Sequence, residues 1–151
     1  MESAVAYFIT FTTYGEFLHG DARGSVWRGR SGPSERLEPI PELVAFEGAQ
    51  MTGPSVRLND LQRQCVATAI SDVCAFKGWA LHALNVRTNH VHIVVSASDS
   101  TPESVMNTCK AWATRRLRET VWQWPGTRSG RVMAARATSK LKLTSSRCVA
   151  M

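Results

Sequence analysis

The chain has 151 residues, of which 44% are hydrophobic, and a formal net charge of +6 at pH 7. This size and composition predict one globular domain with a single apolar core. No stretch approaches the roughly 18 apolar residues of a membrane span, and the N-terminus lacks the basic and apolar pattern of a signal peptide, so we expect a cytoplasmic protein without a membrane partner. The cysteines lack the close spacing of zinc ligands, and we expect them to be reduced thiols.

The positive charge is unevenly distributed. Residues 128–151 hold six basic residues and no acidic residue, which accounts for the whole net charge. A second basic cluster, Lys110, Arg115, Arg116 and Arg118, has one acidic neighbour. Clustered Lys and Arg residues indicate contact with nucleic-acid phosphates. A solvated helix face explains the second cluster equally well.

The N-terminal third combines one strand with a long excursion. Apolar and threonine residues alternate over residues 4–13, which predicts a strand. Residues 16–54 are rich in Gly, Pro, Ser and charge, which indicates a long loop with a short helix near residues 41–48. Long loops in compact domains are often functional. Within this one, His19 and Asp21 are candidate metal ligands, although a polar turn is the favoured interpretation.

The rest of the chain predicts alternating helices and strands. Asn59 or Asp60 is expected to cap a helix that ends near Phe76, because apolar residues recur there at intervals of three and four. Three further elements follow: strands over residues 79–86 and 89–96, joined as a hairpin, and a helix over residues 102–119. The order β-α-β-β-α predicts an α+β fold, an antiparallel sheet with helices on one face. It is compatible with a ferredoxin-like arrangement.

Two histidines mark the centre of this pattern. His90 and His92 lie two residues apart in an apolar, β-branched run, so both side chains leave the same face of the expected strand. Two imidazole nitrogens on one rigid face form a candidate metal site. An exposed sheet face, or a pair of partly buried and hydrogen-bonded histidines, is the alternative interpretation.

The sequence around these histidines resembles a known family. Three segments in the same order, Ile9–Val26, Asn89–Val95 and Val105–Ala111, resemble motifs of the HUH single-tyrosine transposases, in particular the REP-associated tyrosine transposases. The resemblance implies a ferredoxin-like fold and a metal-assisted cleavage of single-stranded or hairpin DNA. In that reaction a C-terminal tyrosine attacks the phosphate and leaves a 5′-phosphotyrosine, from which a second strand is joined.

The resemblance also assigns residues of this chain. His90 and His92 match the pair that holds Mg²⁺ or Mn²⁺ against the scissile phosphate. Asn89, Asn107 and Lys110 match motif positions for which we expect a role in orientation or phosphate contact. With Arg115 and Arg116 they form our predicted DNA-binding set. The chain is expected to act as a monomer or homodimer.

The sequence departs from the family at the nucleophile. Only Tyr7 and Tyr14 are present, and both precede the histidine motif, so we identify no catalytic residue. Tyr7 is interpreted as a core residue and Tyr14 as part of the N-terminal motif. A transposase activity for this copy is therefore uncertain.

The genetic code suggests a reason for the missing tyrosine. The resemblance leads us to expect a segment similar to His-Gly-Ser-Thr-Arg-Tyr-Leu after about residue 123. One choice of codons for Arg131–Ser139 reads, in another frame, as that same segment. We therefore hypothesise a frameshift, with residues 1–125 forming a transposase-like domain and residues 126–151 forming a basic, disordered or out-of-frame tail.

Several functions remain compatible with these observations. The chain is a transposase-like protein that has lost its nucleophile, a DNA-hairpin-binding module without cleavage, or the poorly folding product of a degenerate gene. A different metalloenzyme that uses His90 and His92 is a further alternative, although the sequence offers no third ligand or general base.

Overall fold

The computed structural model describes residues 6–27, 35–51, 53–120 and 133–143. Its elements, in chain order, are β1 (Ala6–Thr13), β2 (Ser25–Trp27), β3 (Glu35–Leu37), α1 (Pro41–Ala49), α2 (Asp60–Lys77), β4 (Ala80–Val86), β5 (His90–Ser96), α3 (Pro102–Thr120) and β6 (Met133–Leu143). The strands and helices predicted from the sequence are all present, with ends that agree within a few residues.

The main sheet has four strands in the order β4-β5-β1-β6, and every neighbouring pair is antiparallel. With α2 between β1 and β4, and α3 between β5 and β6, the chain follows the β-α-β-β-α-β path of the ferredoxin-like fold. The predicted α+β, ferredoxin-like architecture is confirmed. Strands β2 and β3 form a separate two-stranded ribbon within the long excursion.

One face of the sheet carries the core. Ile9 and Phe11 of β1 and Val91, Ile93 and Val95 of β5 are fully buried, and they belong to one apolar cluster with residues of α2 and α3. Because successive side chains of a strand point to opposite faces, both helices pack on this face and the other face is left for polar residues. Burying each of these side chains stabilises the fold by about 1.5–3 kcal/mol.

Local signals determine where α2 begins and ends. The Asn59 side chain accepts a hydrogen bond from Gln62 N, and Gln62 Oε1 accepts one from Asn59 N, both at 2.9 Å. This reciprocal pair satisfies two backbone donors at the helix start. At the other end Gly78 adopts a left-handed conformation with φ of +70°, which glycine reaches without steric cost.

Two cysteines lie between the helices. Cys74 of α2 and Cys109 of α3 are buried, whereas Cys65 is half-buried, and none of the three forms a disulfide. The expectation of reduced thiols holds for these three residues. A hydrogen bond with Cys74 raises the pKa of the Cys109 thiol, and burial raises it further. Both side chains therefore act as small apolar packing groups.

The C-terminal part of the chain adds a strand that its sequence pattern did not predict. Residues 133–143, within the segment expected to be a basic, disordered or out-of-frame tail, form β6 beside β1. The division near residue 125 lies outside the described residues and stays a prediction. Among the helices that the structure describes, none is long and apolar enough to cross a membrane.

Candidate functional site

The two histidines project from the sheet face opposite the helices. His90 pairs with Thr12 and His92 with Thr10 in the β1–β5 register, while the alternating Val91 and Ile93 point into the core. The imidazole centroids are 4.6 Å apart, and the rings meet edge to face at 74°. The shared strand face predicted from the sequence is therefore present, in the middle of the sheet.

Each imidazole is held through its Nδ1 atom. Nδ1 of His92 lies 2.8 Å from the Thr10 hydroxyl, and Nδ1 of His90 lies 2.7 Å from Oδ1 of Asn89. Phe8 stacks on the His92 ring, with centroids 5.6 Å apart. Within the described ranges neither Nε2 atom has a hydrogen-bond partner. Histidines that bind metals typically have one nitrogen anchored in this way.

The environment favours the uncharged form of His90. Burial lowers the pKa of His90, and the neighbouring His92 and Arg87 lower it further, while Glu16 opposes the shift. A neutral ring has a free lone pair, which metal binding requires. Across the described residues, no group of three or more His, Cys, Asp or Glu side chains converges on a metal position.

An acidic residue from the long excursion contacts the same end of the sheet. Oε1 of Glu16 accepts hydrogen bonds from Asn89 Nδ2 at 2.9 Å and from the guanidinium groups of Arg23 and Arg57 at 3.3 Å each. The Glu16 side chain is only 5% exposed. Arg23 also donates to the Glu16 carbonyl at 2.7 Å and to Asp21. These contacts fold the loop after β1 against the histidine motif.

A short segment before α2 closes the end of this arrangement. The Thr13 hydroxyl donates to the Val56 carbonyl at 2.6 Å, Val56 N donates to Tyr14 O at 2.9 Å, and Leu58 N donates to Thr88 O at 2.7 Å. The segment thus joins the end of β1 to the start of β5. Sequence reasoning missed Thr10, Glu16, Arg23 and Arg57 as parts of the site, although Thr10, Glu16 and Arg23 lie in the resembling segment Ile9–Val26.

The alternative candidate ligands do not form a second metal cluster. His19 lies 2.7 Å from Oε1 of Glu47, which also accepts from the His19 backbone. Asp21 is bonded to Arg23, which lowers the pKa of Asp21 to about 2. The structure therefore shows His19 hydrogen-bonded to Glu47 and Asp21 paired with Arg23, on either side of Gly20, in agreement with the polar turn that the sequence favoured.

The predicted DNA-binding residues separate into two groups. Asn89 lies beside the histidine pair. The other four are on α3, which packs on the opposite face of the sheet: Asn107, Lys110, Arg115 and Arg116.

The four α3 residues also differ in exposure. Asn107 and Arg115 are exposed, and Arg116 forms a 2.9 Å ion pair with Asp72 of α2. Lys110 is 8% exposed. The structure thus brings together Asn89, His90 and His92, but it does not place the α3 residues next to them.

Comparison with known proteins identifies the family. Residues 55–128 match the model of the family described as Transposase IS200 like. This range contains α2, β4, β5 and α3, and with them the histidine pair. A search of curated proteins found no match. The family indicates a transposase-type function in DNA transposition, and its members bind DNA and are generally metal-dependent. Through residues 55–128, the chain belongs to the transposase IS200-like family.

Proposed function

We propose that this chain binds single-stranded or hairpin DNA and uses His90 and His92 to hold a divalent metal, Mg²⁺ or Mn²⁺, at a phosphate group. The observation that carries the proposal is the histidine pair itself, in which both rings are anchored through Nδ1 and share one sheet face. The family match supports the DNA part of the proposal.

The residues present fit a weakly held ion. Two neutral imidazoles supply two nitrogen ligands, and Mg²⁺ and Mn²⁺ favour oxygen ligands, so water and phosphate oxygens would have to complete the coordination. When bound, the ion would withdraw charge from a phosphate oxygen and orient the phosphorus for attack. The protein's part is to hold both rings in place, which Asn89, Thr10 and Phe8 do through the contacts above.

The nucleophile is the missing component. Tyr7 and Tyr14 are the two tyrosines of the chain, and both pack against the apolar core. Tyr7 alternates with Phe8, so it lies on the helix side of the sheet, away from the histidines. In our proposal neither residue attacks DNA, this copy is inactive in cleavage, and a frameshift before residue 131 removed the C-terminal tyrosine.

A DNA-hairpin-binding module without cleavage is the second candidate function. It is favoured by the combination of a folded sheet, two core-packed tyrosines and exposed basic side chains such as Arg115. The two candidates share DNA binding and differ in whether the histidine pair holds a metal.

Metal titration tests the histidine pair. Paramagnetic Mn²⁺ should broaden the imidazole NMR signals of His90 and His92 together, and His90→Ala or His92→Ala should remove the effect from the remaining ring. His82→Ala is the matched control, because His82 is exposed on β4 and is bonded to Ser96 at 2.8 Å. Broadening confined to His19 or His82 would contradict the proposal.

DNA binding requires a separate experiment. A labelled hairpin should bind with an affinity that falls as salt rises, because neutralised phosphates release counterions. Replacing the six basic residues of 128–151 by glutamine removes their charge without changing the chain length. If binding is lost altogether in that variant, the phosphate contacts come from residues 128–151, and the histidine face and α3 do not bind DNA on their own.

A further inference from the structure

A continuous chain of hydrogen bonds leads from a buried carboxylate to His90. Glu16 Oε1 accepts from Asn89 Nδ2 at 2.9 Å, and Asn89 Oδ1 lies 2.7 Å from His90 Nδ1. We propose that Glu16 is a positioning residue that fixes the tautomer of His90 and so directs the Nε2 lone pair outward. This inference rests on the proposed metal role of His90 for its functional meaning, while the tautomer itself is measurable without metal.

The chemistry of the three side chains determines which group donates in each of these hydrogen bonds. An ionised carboxylate can only accept hydrogen bonds, so the Asn89 amide must turn its NH₂ group toward Glu16. The amide oxygen then faces His90 and, having no hydrogen, can also only accept. Nδ1 of His90 must therefore carry the proton of the neutral ring. Nε2 is left with its lone pair, the form that binds a metal.

Two guanidinium groups hold the Glu16 carboxylate in place. Arg23 and Arg57 both donate to the same Oε1 atom at 3.3 Å, and Arg23 donates a further bond to the Glu16 carbonyl at 2.7 Å. Arg23 is itself held by Asp21 and by the ring of Phe17, 4.3 Å from its guanidinium carbon. A buried carboxylate with these partners has a defined position.

His92 has no neighbour of this kind among the described residues that would fix its tautomer. Nδ1 of His92 faces the Thr10 hydroxyl at 2.8 Å, and a hydroxyl can either donate or accept. Thr10 therefore orients the His92 ring without dictating where its proton sits. Glu16 reaches His90 through Asn89, since its Oε1 atom is occupied by three donors, one of which is Asn89 Nδ2.

Nitrogen-15 NMR of the imidazoles, without metal and at about pH 8, above the usual pKa of histidine, tests the proposal. In the wild-type chain His90 should be protonated at Nδ1. Glu16→Ala should shift the His90 proton toward Nε2, because the Asn89 amide is then free to rotate. Glu16→Gln should keep the Nδ1–H form, because the amide oxygen still accepts from Asn89 and from the two arginines. Glu47→Ala is the control, since that carboxylate contacts His19 instead.

A rescue variant separates positioning from general structural support. Asn89→Asp added to Glu16→Ala places a group beside His90 that can only accept, and it should restore the Nδ1–H form. A residue that only supported the loop would not be rescued in this way. If Glu16→Ala does not fold, Asn89→Ala removes the same connection and should likewise release the tautomer.

Metal binding supplies the second readout. Glu16→Ala should weaken Mn²⁺ binding about tenfold or more, the usual effect of losing a group that orients a ligand, and Asn89→Asp should recover it. The positioning role is overturned if wild-type His90 is protonated at Nε2, or if folded Glu16→Ala keeps the wild-type tautomer. An Nδ1–H form that depends on Glu16, together with no Mn²⁺ broadening, would uphold the positioning role and refute the metal proposal.

Discussion

The ammonium group of Lys110 lies 5.6 Å from the centroid of the Phe11 ring, inside the core and without a hydrogen-bond partner in the described part of the chain. A cation over an aromatic face gains part of the energy that it loses by leaving water. The balance is unfavourable, because desolvation lowers the pKa of Lys110 from its ordinary value of 10.5 to about 8. The folded state therefore binds this proton more weakly than the unfolded state.

Replacing Lys110 should consequently stabilise the fold. Below about pH 8 Lys110 is charged in both states, and its burial in the folded state opposes folding. Between about pH 8 and about 10.5 the folded state has lost this proton while the unfolded state still binds it, so the free energy of unfolding should rise with pH. Lys110→Met should raise the free energy of unfolding at pH 7 by on the order of 2 kcal/mol and should remove this rise. Urea unfolding across that pH range measures both effects.

Lys77→Met, at the exposed end of α2, is the matched control for the loss of one lysine charge. Its stability at pH 7 should stay close to that of the wild type. A destabilised Lys110→Met variant would show that the ammonium group has a polar contact that supports the fold.

Local patterns predicted β1, both packed helices and the β4–β5 hairpin, but not β2, β3 or β6, and residue spacing placed the histidines. The capping pair Asn59 and Gln62 and the left-handed Gly78 act within a few residues, so the sequence was sufficient to locate α2. Alternation alone placed His90 and His92 on one face. The family was recognised from the resemblance of three sequence segments, because amino-acid composition alone does not indicate it.

The remainder of the site depends on contacts between distant residues. Glu16 meets Arg57 and Asn89 across 41 and 73 positions of the sequence, and no local pattern encodes such contacts. The burial of Lys110 could have been predicted, because Met106, Ala113 and Leu117 are spaced so that Lys110 shares their helix face. Lys110 lies three or four residues from the first two and seven from the third, on the buried face of the helix. Its resemblance to a motif position outweighed that pattern in our prediction.

Gly20 should tolerate substitution less well than Gly78, which has free space around its Cβ position. Its φ is +82°, and an added Cβ would lie 2.7 Å from the backbone oxygen of Ile40, so Gly20→Ala combines backbone strain with a contact that cannot relax easily. We expect a loss of about 2–3 kcal/mol in thermal or urea unfolding. Gly78→Ala has a similar φ of +70° but no atom within 4 Å and should cost only about 1 kcal/mol. Equal losses in the two variants would contradict the steric argument.

Thr10 should matter more for metal binding than for folding. Thr10→Val keeps the β-branched shape but removes the hydroxyl that contacts Nδ1 of His92. The cost in stability should be about 1 kcal/mol, whereas Mn²⁺ affinity should fall about tenfold because the ring loses its anchor. Mn²⁺ titration followed by NMR measures the second effect. Thr10→Ser retains the hydroxyl and should bind Mn²⁺ almost as the wild type does, so an equal loss in both variants would count against the anchoring role.

Arg115 offers a test of whether α3 contacts DNA. Its side chain is exposed, so Arg115→Ala should leave stability unchanged. If the guanidinium contacts a phosphate, the slope of log affinity against log salt for a hairpin should decrease by about 0.7–0.9, with no change in sequence preference. Fluorescence anisotropy at several salt concentrations measures the slope. Arg63→Ala is the control, because Arg63 pairs with Asp60 on α2, and an unchanged slope for Arg115→Ala would exclude this face as a phosphate contact.

Covalent capture tests the loss of the nucleophile. Cleavage through a phosphotyrosine needs a tyrosine beside the metal, and Tyr7 and Tyr14 instead pack against the core. The chain as written should therefore form no denaturation-resistant adduct with a labelled single-stranded hairpin in Mg²⁺ or Mn²⁺. A version in which the reading frame is restored before residue 131 should form one, and changing its new C-terminal tyrosine to phenylalanine should abolish the adduct. An adduct on the present chain that maps to Tyr14 or Tyr7 would show that the nucleophile comes from the N-terminal motif and that no frameshift is needed to explain the sequence.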